Sequence, residues 1–411
     1  MKYGICGIAF SGNKGAEGML LALVGHISTL DKDAVFHVMS YYPGADRRAG
    51  HEAGNVKIIN GSPKRVIGYF FQSLWCIFCR TLHLPAEFYL HGDFAMIADC
   101  DIFLDAAGIS FSDGREKFTV FNILSLLPAL ASGVKTVKVS QAMGPFKNKI
   151  NRLMAKLVLP RLALIVSRGE QTGRFLSELQ LTNTTAYPDA AFSMECCDAD
   201  AITAAAMLPD TCEKKIIGIS PSQVVWGLCH KENVDYTGIL AEITAECRKK
   251  GFHCVVFPHS ARTGTDKTHN NDLPIIKKFA AALPPGDDLT VLDRELEAGV
   301  LRCLIAKMDI LVASRFHAII SAMSTGVPAV VVGWSHKYAE VLAPFQLDDF
   351  VQSYSNFNKD TTMKMIEKLS ADRQKFSEKI LQESRIIKEK NLQFFQDVID
   401  LAAEKTDQYP G

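Results

Sequence analysis

The hydrophobic pattern of the chain alternates short, β-branched apolar runs with longer stretches in which apolar residues recur every three or four positions. This alternation predicts parallel sheets built from βαβ units. In the first half of the chain, the runs that predict strands are residues 3–8, 34–39, 56–59, 102–105, 136–140, 162–167 and 185–187. The periodic stretches that predict helices are residues 16–29, 118–131, 150–159 and 171–179.

The pattern lapses after Phe192 and starts again at Lys214 with a new strand that ends in Ser220-Pro221. Further strands are predicted at residues 254–257, 289–292, 310–313 and 329–332, and helices at residues 239–249, 298–307 and 317–325. The sequence therefore predicts an α/β protein with two Rossmann-like, doubly wound domains and a cleft between them. We expect an N-terminal domain at 1–195, a linker at 196–213, a second domain at 214–358, and C-terminal helices at 359–411 that pack back on the first domain.

Composition narrows the function classes. The 411 residues include 45 Lys and Arg against 45 Asp and Glu, so the formal net charge is zero, and 48% are apolar. These values exclude a disordered or low-complexity chain and disfavour a nucleic-acid binder, which usually has a basic excess. The 11 cysteines are scattered, and the N-terminus lacks a signal-peptide pattern. We therefore expect a cytoplasmic location, with the thiols reduced.

Residues 66–79, between Arg65 and Arg80, come nearest to a membrane-spanning stretch. The segment is too short to cross a bilayer, so it predicts a buried helix. The alternative is a helix on a membrane surface, with Lys64, Arg65 and Arg80 at the lipid head groups. That alternative implies peripheral contact with the inner face of the plasma membrane.

Ligands of open parallel sheets bind beyond the carboxyl ends of the strands, so the residues after each predicted strand are candidates for a site. The first such segment, residues 7–17, is rich in glycine and contains Asn13, Gly15 and Glu17. Its spacing fits neither a dinucleotide fingerprint nor a P-loop. It predicts either an anion-binding turn at a helix N-terminus or a turn needed only for packing.

Three other segments of the first domain offer candidates. The small-residue loop that contains Gly108 and Asp113 either admits a ligand closely or is a simple turn. Gln141 places an amide at a strand end, where it could bind hydroxyl groups. Arg168 ends a strand before a helix begins, which suits an anion clamp.

In the second domain, His259 follows one strand, and Ser314, Arg315 and His317 follow another. Arginine offers a permanent, forked charge for a carboxylate or phosphate, and histidine a proton that titrates near neutral pH. His336 and Lys337 follow the next strand. We find no convincing metal-ligand spacing and expect no metal site.

Together these segments resemble the polysaccharide pyruvyl transferase family over roughly residues 1–345. The resemblance is carried by motifs in a common order: Asn13-Lys14-Gly15-Ala16-Glu17, Gly108 with Asp113, Ser140-Gln141-x-x-Gly144-Pro145, Arg168-x-Glu170-x-Thr172, Pro188-Asp189-x-Ala191-Phe192, Pro258-His259 with Asn271-Asp272, Ser314-Arg315-Phe316-His317, and Gly326-Val327-Pro328 with Ser335-His336-Lys337.

The resemblance implies a GT-B-like arrangement and a transferase that moves the pyruvyl group of phosphoenolpyruvate onto a sugar, without a cofactor. Arg168 and Arg315 would bind phosphoenolpyruvate, and His317 would be the catalytic acid. The acceptor would be a glycan or a lipid-linked saccharide, on the side of the first domain. The chain departs from the family pattern in its loop 105–108, which is poorer in glycine, and at Thr172, where serine is common.

Two other function classes stay open at this point. A GT-B glycosyltransferase or sugar-nucleotide epimerase would need a site for a nucleoside base, and the sequence has no clear signature for one. A non-catalytic sugar-binding protein could keep the same fold, although the pair Arg315 and His317 argues against it. The sequence leaves the oligomeric state open.

Overall fold

The computed structural model describes residues 1–209, 214–262, 271–334 and 337–404. The chain divides into two compact units, and each is built on one sheet. Unit 1 contains the described residues of Met1–Ser11, Met19–Ala190 and Glu389–Gly411. Unit 2 contains those of Gly12–Gly18 and Ala191–Lys388.

The sheet of unit 1 runs in the order β3-β2-β1-β4-β6-β7-β8, and β5 pairs with β6. Its strands are β1 (Lys2–Cys6), β2 (Val35–Ser40), β3 (Val56–Asn60), β4 (Ile102–Asp105), β5 (Ile109–Ser112), β6 (Lys135–Gly144), β7 (Leu164–Ser167) and β8 (Thr184–Ala186). All the pairings are parallel. The order reverses between β1 and β4, so this is the topological switch point where such sheets bind ligands.

Helices connect these strands in the right order for βαβ units. They are α1 (Lys14–Leu30), α2 (Pro43–Arg48), α3 (Pro63–Thr81), α4 (Gly92–Ala98), α5 (Glu116–Ser132), α6 (Lys149–Val158) and α7 (Glu170–Ser177). Side chains from α3, α5 and α6 share one hydrophobic cluster with the sheet, including Tyr69, Phe103, Leu126 and Ala155, all fully buried. Burial of this apolar surface is the main force that holds the helices to the sheet.

The sheet of unit 2 is also parallel, in the order β11-β10-β9-β12-β13-β14. Its strands are β9 (Ile216–Ser220), β10 (His253–Val256), β11 (Leu289–Val291), β12 (Ile310–Ala313), β13 (Ala329–Gly333) and β14 (Val351–Ser353). The four central strands are buried along their whole length, as expected for a parallel sheet covered on both faces. Here the order reverses between β9 and β12.

The remaining helices are α8 (Asp198–Ala205), α9 (Gln223–Lys231), α10 (Tyr236–Lys249), α11 (Leu273–Ala280), α12 (Ala298–Ala306), α13 (Phe316–Ser324), α14 (Lys337–Leu342), α15 (Lys359–Ala371) and α16 (Arg373–Ala403). The end of α16 belongs to unit 1, where Phe394 and Phe395 are fully buried. There the Tyr187 hydroxyl donates a hydrogen bond to Asp397 at 2.5 Å.

The predicted fold class, two Rossmann-like α/β sheets with C-terminal helices, is confirmed. The units nevertheless divide the chain differently from the expected domains. Residues 12–18 belong to unit 2, as does the C-terminal region up to Lys388. The stretch expected as a linker at 196–213 contains a helix, α8, which packs against α12.

The apolar segment 66–79 lies in α3, whose two faces differ in exposure. Val66, Tyr69 and Cys76 are fully buried, whereas Ile67 and Phe71 are 54% and 63% exposed. The expectation of a buried helix therefore holds for one face only. Among the described helices, none combines the length and the apolar character needed to cross a bilayer.

Candidate active site

The carboxyl end of β12 supplies the densest group of candidate residues in unit 2. Ser314 extends the strand pairing through its N–H, which donates to the Ser220 carbonyl at 3.0 Å. Its buried hydroxyl lies 2.7 Å from the Tyr236 hydroxyl. Ser314 was expected to bind substrate, and its contacts here are with the protein.

Arg315 is the residue that precedes the first turn of α13, and its guanidinium group binds a buried aspartate. Its Nε donates to Asp272 Oδ2 at 2.8 Å, and its Nη2 donates to Oδ1 at 2.5 Å. Asp272 is fully buried and also accepts the backbone N–H groups of Gln223 and Ser260 at 2.9 and 3.0 Å. This bidentate pair fixes the plane and direction of the guanidinium group.

His317 lies in the first turn of α13, and its imidazole packs directly against Gly15. A methyl group on Gly15 would overlap the His317 ring, so this position has room only for glycine. Gly15 is in the first turn of α1, where its N–H donates to the Asn13 side chain at 3.1 Å. Asn13 therefore caps the helix that brings the backbone up to the imidazole.

Glu17 was expected to bind substrate, but it is buried one turn further along α1. Its carboxylate lies 2.8 Å from Lys14 Nζ and accepts the N–H of Ala298, at the start of α12, at 3.0 Å. Burial, together with the neighbouring Glu297, raises the pKa of Glu17 to about 8 against the opposing effect of Lys14. The contacts of Glu17 join α1 to α12.

His259 follows β10 and is buried. Burial, together with the positive charges of His317 and Arg315, lowers the pKa of His259 to about 3. These three side chains therefore lie close enough to interact electrostatically. At neutral pH His259 is neutral.

Lys337 begins α14, with its ammonium group 5.0 Å from the centre of the Phe316 ring and 5.1 Å from that of Trp334. Cation–π contacts of this kind hold a lysine in place without neutralising its charge. His336, the adjacent candidate, lies outside the described residues.

In unit 1, Arg168 follows β7 and is also paired with a buried aspartate. Its Nη1 donates to Asp189 Oδ2 at 2.7 Å, and its Nη2 donates to the Gly108 carbonyl at 2.9 Å. The backbone of Gly108 thus lies beside Arg168. The arginine links the ends of β4 and β7.

Gln141 was expected to bind a hydroxyl group, but its side chain is fully buried. Its Nε2 donates to the Asp105 carbonyl and its Oε1 accepts from the Ser110 hydroxyl, both at 2.5 Å. Asp105 forms a buried ion pair with Lys138. Gln141 therefore supports the loop after β4 through these hydrogen bonds.

Asp113, another expected ligand of the substrate, anchors the start of α6. It accepts the backbone N–H groups of Lys147 and Asn148 at 2.7 and 3.1 Å, and the Asn151 amide at 2.7 Å. These bonds satisfy groups around a helix N-terminus, where a carboxylate is favoured.

The partners of both arginines escaped the sequence analysis. Asp189 and Asp272 stand in motifs that were noted, but nothing in the sequence pairs Asp272 with Arg315, 43 positions away. The signal that could have found them is a carboxylate that belongs to a motif but has no chemical role assigned to it. Tyr236, within a helix, gave no signal.

The structure thus places two groups. Unit 2 joins His317, Arg315 and His259 with the Gly15 turn, and unit 1 joins Arg168 with Gly108. That both groups bind one anion stays a prediction. Across the described ranges, no set of three or more His, Cys, Asp or Glu side chains is arranged to hold a metal ion.

Similar solved structures show the fold. A UDP-N-acetylglucosamine 2-epimerase matches with a TM-score of 0.59 and 14% identity, over 96% of both chains. The UDP-GlcNAc 2-epimerase of Neisseria meningitidis, bound to UDP-GlcNAc, matches with a TM-score of 0.57 and 10% identity, over 96% of this chain and 100% of its own. A UDP-forming trehalose-phosphate synthase from Burkholderia xenovorans matches with a TM-score of 0.54 and 12% identity, over 98% of both chains. These are GT-B-type epimerases and glycosyltransferases.

No curated protein matches the chain. The family described as polysaccharide pyruvyl transferase matches residues 13–336, a range that includes the Gly15 turn, Arg168, His259, Arg315 and His317. The chain therefore belongs to the polysaccharide pyruvyl transferase family.

Proposed function

We propose that this protein transfers the pyruvyl group of phosphoenolpyruvate onto two hydroxyl groups of a sugar in a polysaccharide or lipid-linked glycan precursor. The products would be a pyruvate ketal and inorganic phosphate. Family membership supports a transferase of this kind. The observation that carries the proposal is the grouping of His317, Arg315 and His259 at the carboxyl end of the unit 2 sheet.

The reaction needs a proton donor first. Protonation of the methylene carbon of phosphoenolpyruvate gives an oxocarbenium-like centre at the adjacent carbon, which one sugar hydroxyl attacks. The phosphate leaves as its C–O bond breaks, and a second hydroxyl closes the ketal. Of the two hydroxyl protons released, one balances the proton given to carbon and the other leaves with phosphate.

His317 is the proposed acid and, afterwards, the base that accepts a hydroxyl proton. Its imidazole is held against the backbone of Gly15, which limits its orientations. An acid or base placed in this way contributes about 10²–10⁴-fold to the rate. His259, with a pKa of about 3, is too weak a base for this role, so we assign it hydrogen bonding to the substrate or to His317.

Arg315 and Arg168 are the proposed ligands of the phosphoenolpyruvate anion. Each guanidinium group is oriented by a buried aspartate before any substrate binds. Each arginine–aspartate pair has little net charge. The binding of phosphoenolpyruvate would therefore depend on the direction in which the guanidinium N–H groups point. Lys337, held beside the Phe316 ring, would add a further cation.

The test is phosphate release from phosphoenolpyruvate with a panel of sugars and glycolipid extracts. We expect His317→Ala to lower turnover by about 10²–10⁴-fold and to keep the thermal stabilisation that phosphoenolpyruvate gives the wild type. Arg315→Ala should lose both. His91→Ala, at an exposed histidine of unit 1, is the matched control.

Near-native turnover by the His317 variant would refute the assignment of the acid. Release of a nucleoside diphosphate from a sugar nucleotide, with no phosphate from phosphoenolpyruvate, would instead indicate a glycosyltransferase or an epimerase. No activity and no stabilisation by phosphoenolpyruvate would favour a binding protein.

A further inference from the structure

Helix α3 carries apolar side chains on the face that points away from the core. An ordinary surface helix has polar residues there. The outward residues are about half exposed or more: Ile67 54%, Phe71 63%, Leu74 50%, Trp75 49% and Phe78 51%. Their spacing places them along one side of the helix.

Helix α6 repeats this inverted arrangement. Ile150, Leu153 and Leu157 are 62%, 57% and 50% exposed, and they recur at helical spacing. The buried residues of the same helix are Asn151 and Ala155. The apolar side of α6 therefore faces outward, at a cost in hydration that folding alone does not require.

The two helices belong to the same part of unit 1. Helix α3 packs against α5, which in turn contacts α6. The inner residues of all three helices belong to the same hydrophobic cluster. We call the exposed apolar faces of α3 and α6 together the outer face; it consists of Ile67, Phe71, Leu74, Trp75, Phe78, Ile150, Leu153 and Leu157.

The charge around the outer face is strongly positive. Residues 63–82, 115–120 and 147–161 contain ten basic residues and one acidic residue, Glu116, although the whole chain is balanced. The basic residues are Lys64, Arg65, Arg80, Arg115, Lys117, Lys147, Lys149, Arg152, Lys156 and Arg161. All except the half-buried Arg65 are exposed.

We propose that the outer face docks unit 1 on a membrane that contains anionic lipids. The apolar side chains would enter the boundary between head groups and acyl chains, and the basic side chains would bind the head groups. A second copy of this chain is a poorer occupant, because it would bring two sets of ten basic residues together. The inference goes beyond the proposed reaction, since it concerns where the protein binds.

The experiment is flotation of the purified protein with vesicles, without substrate. We expect it to bind vesicles of phosphatidylcholine with about 30% phosphatidylglycerol at least about tenfold more tightly than phosphatidylcholine alone, and less tightly in high salt. Phe71→Asp and Leu153→Asp should each weaken binding about tenfold or more. Lys149→Glu with Arg152→Glu should do the same for anionic vesicles.

The matched control is Ile202→Asp, at an apolar residue of unit 2 that is 71% exposed. It should float like the wild type. All the variants change exposed side chains, so their melting temperatures should stay close to that of the wild type, which excludes unfolding as the cause of release.

Failure of the wild type to float with anionic vesicles would overturn the proposal, as would unchanged flotation of Phe71→Asp and Leu153→Asp. A wild type that is dimeric by light scattering, becomes monomeric in Leu153→Asp and does not float would assign the outer face to self-association. A protein that floats but releases no phosphate from phosphoenolpyruvate would keep this proposal and refute the proposed reaction.

Discussion

At the residue scale, the two candidate anion-binding arginines are held by the same kind of ion pair. Each guanidinium group donates to an aspartate that is almost fully buried, Asp272 for Arg315 and Asp189 for Arg168. Removal of either partner of such a pair leaves a buried charge uncompensated and costs about 3–5 kcal/mol. The ion pairs therefore fix the orientation of both arginines and also stabilise the fold.

His259 offers a pH test at the same scale. Its pKa falls from about 6.5 in the unfolded chain to about 3 when it is buried, so protons bind preferentially to the unfolded state between these values. The resulting loss of stability begins as the pH falls below about 6.5 and is complete near pH 3. At pH 5 it amounts to about 2 kcal/mol relative to pH 7.

We therefore expect His259→Asn to reduce the difference in unfolding free energy between pH 7 and pH 5 by about 2 kcal/mol, as measured by urea unfolding at both pH values. His91→Asn, at an exposed histidine, should leave that difference unchanged. Parallel pH profiles for wild type and His259→Asn would show that His259 is not a buried neutral imidazole.

At the element scale, the first turn of α1 supports the proposed acid. Asn13 caps it, Lys14 and Glu17 form a buried pair, and Glu17 binds the start of α12. These contacts hold the backbone of Gly15 under the His317 ring. The turn is thus part of the site through its backbone rather than through its side chains.

Gly15→Ala should displace the His317 imidazole, because the new methyl group overlaps the ring. We expect turnover to fall by about 10²–10⁴-fold, close to the effect of removing the imidazole itself. The measurement is phosphate release from phosphoenolpyruvate, with the melting temperature as the check on folding.

Gly25→Ala is the matched control in the same helix, since no heavy atom lies within 4 Å of the added methyl group. Alanine is the better helix former, by about 1 kcal/mol. The control should therefore be as stable as the wild type or more so, with unchanged turnover. Equal activity of the two glycine variants would contradict the proposed role of the contact between Gly15 and His317.

The hydrophobic pattern predicted most strands of both sheets, because fully buried parallel strands are continuous apolar runs. It missed β14 (Val351–Ser353) and β5 (Ile109–Ser112). The small residues of β5 suggested a loop, and only its pairing with the extended end of β6 makes it a strand. The pattern predicted helix α6 but not which face of the helix is buried. The helical spacing shows that Ile150, Leu153 and Leu157 share a face, but it does not show that this face points away from the core.

At the scale of the whole molecule, both sheets reverse their order beside the first strand, β1 in unit 1 and β9 in unit 2. The candidates Arg168 and Arg315 follow β7 and β12, the strands after which the sequence analysis placed them. The sequence pattern could not tell residues that face the site from those that support it. Gln141 and Glu17 are buried among protein groups, and only packing decides this.

The last prediction concerns both units, because Arg168 belongs to unit 1 and Arg315 to unit 2. If both bind phosphoenolpyruvate, each change to lysine should weaken its binding without acceptor by about tenfold or more, since lysine keeps the charge but loses the fork. Arg174→Lys, at an exposed arginine paired with Glu170, is the control. An Arg168→Lys variant that binds phosphoenolpyruvate normally but has a raised KM for the sugar would instead assign Arg168 to the acceptor.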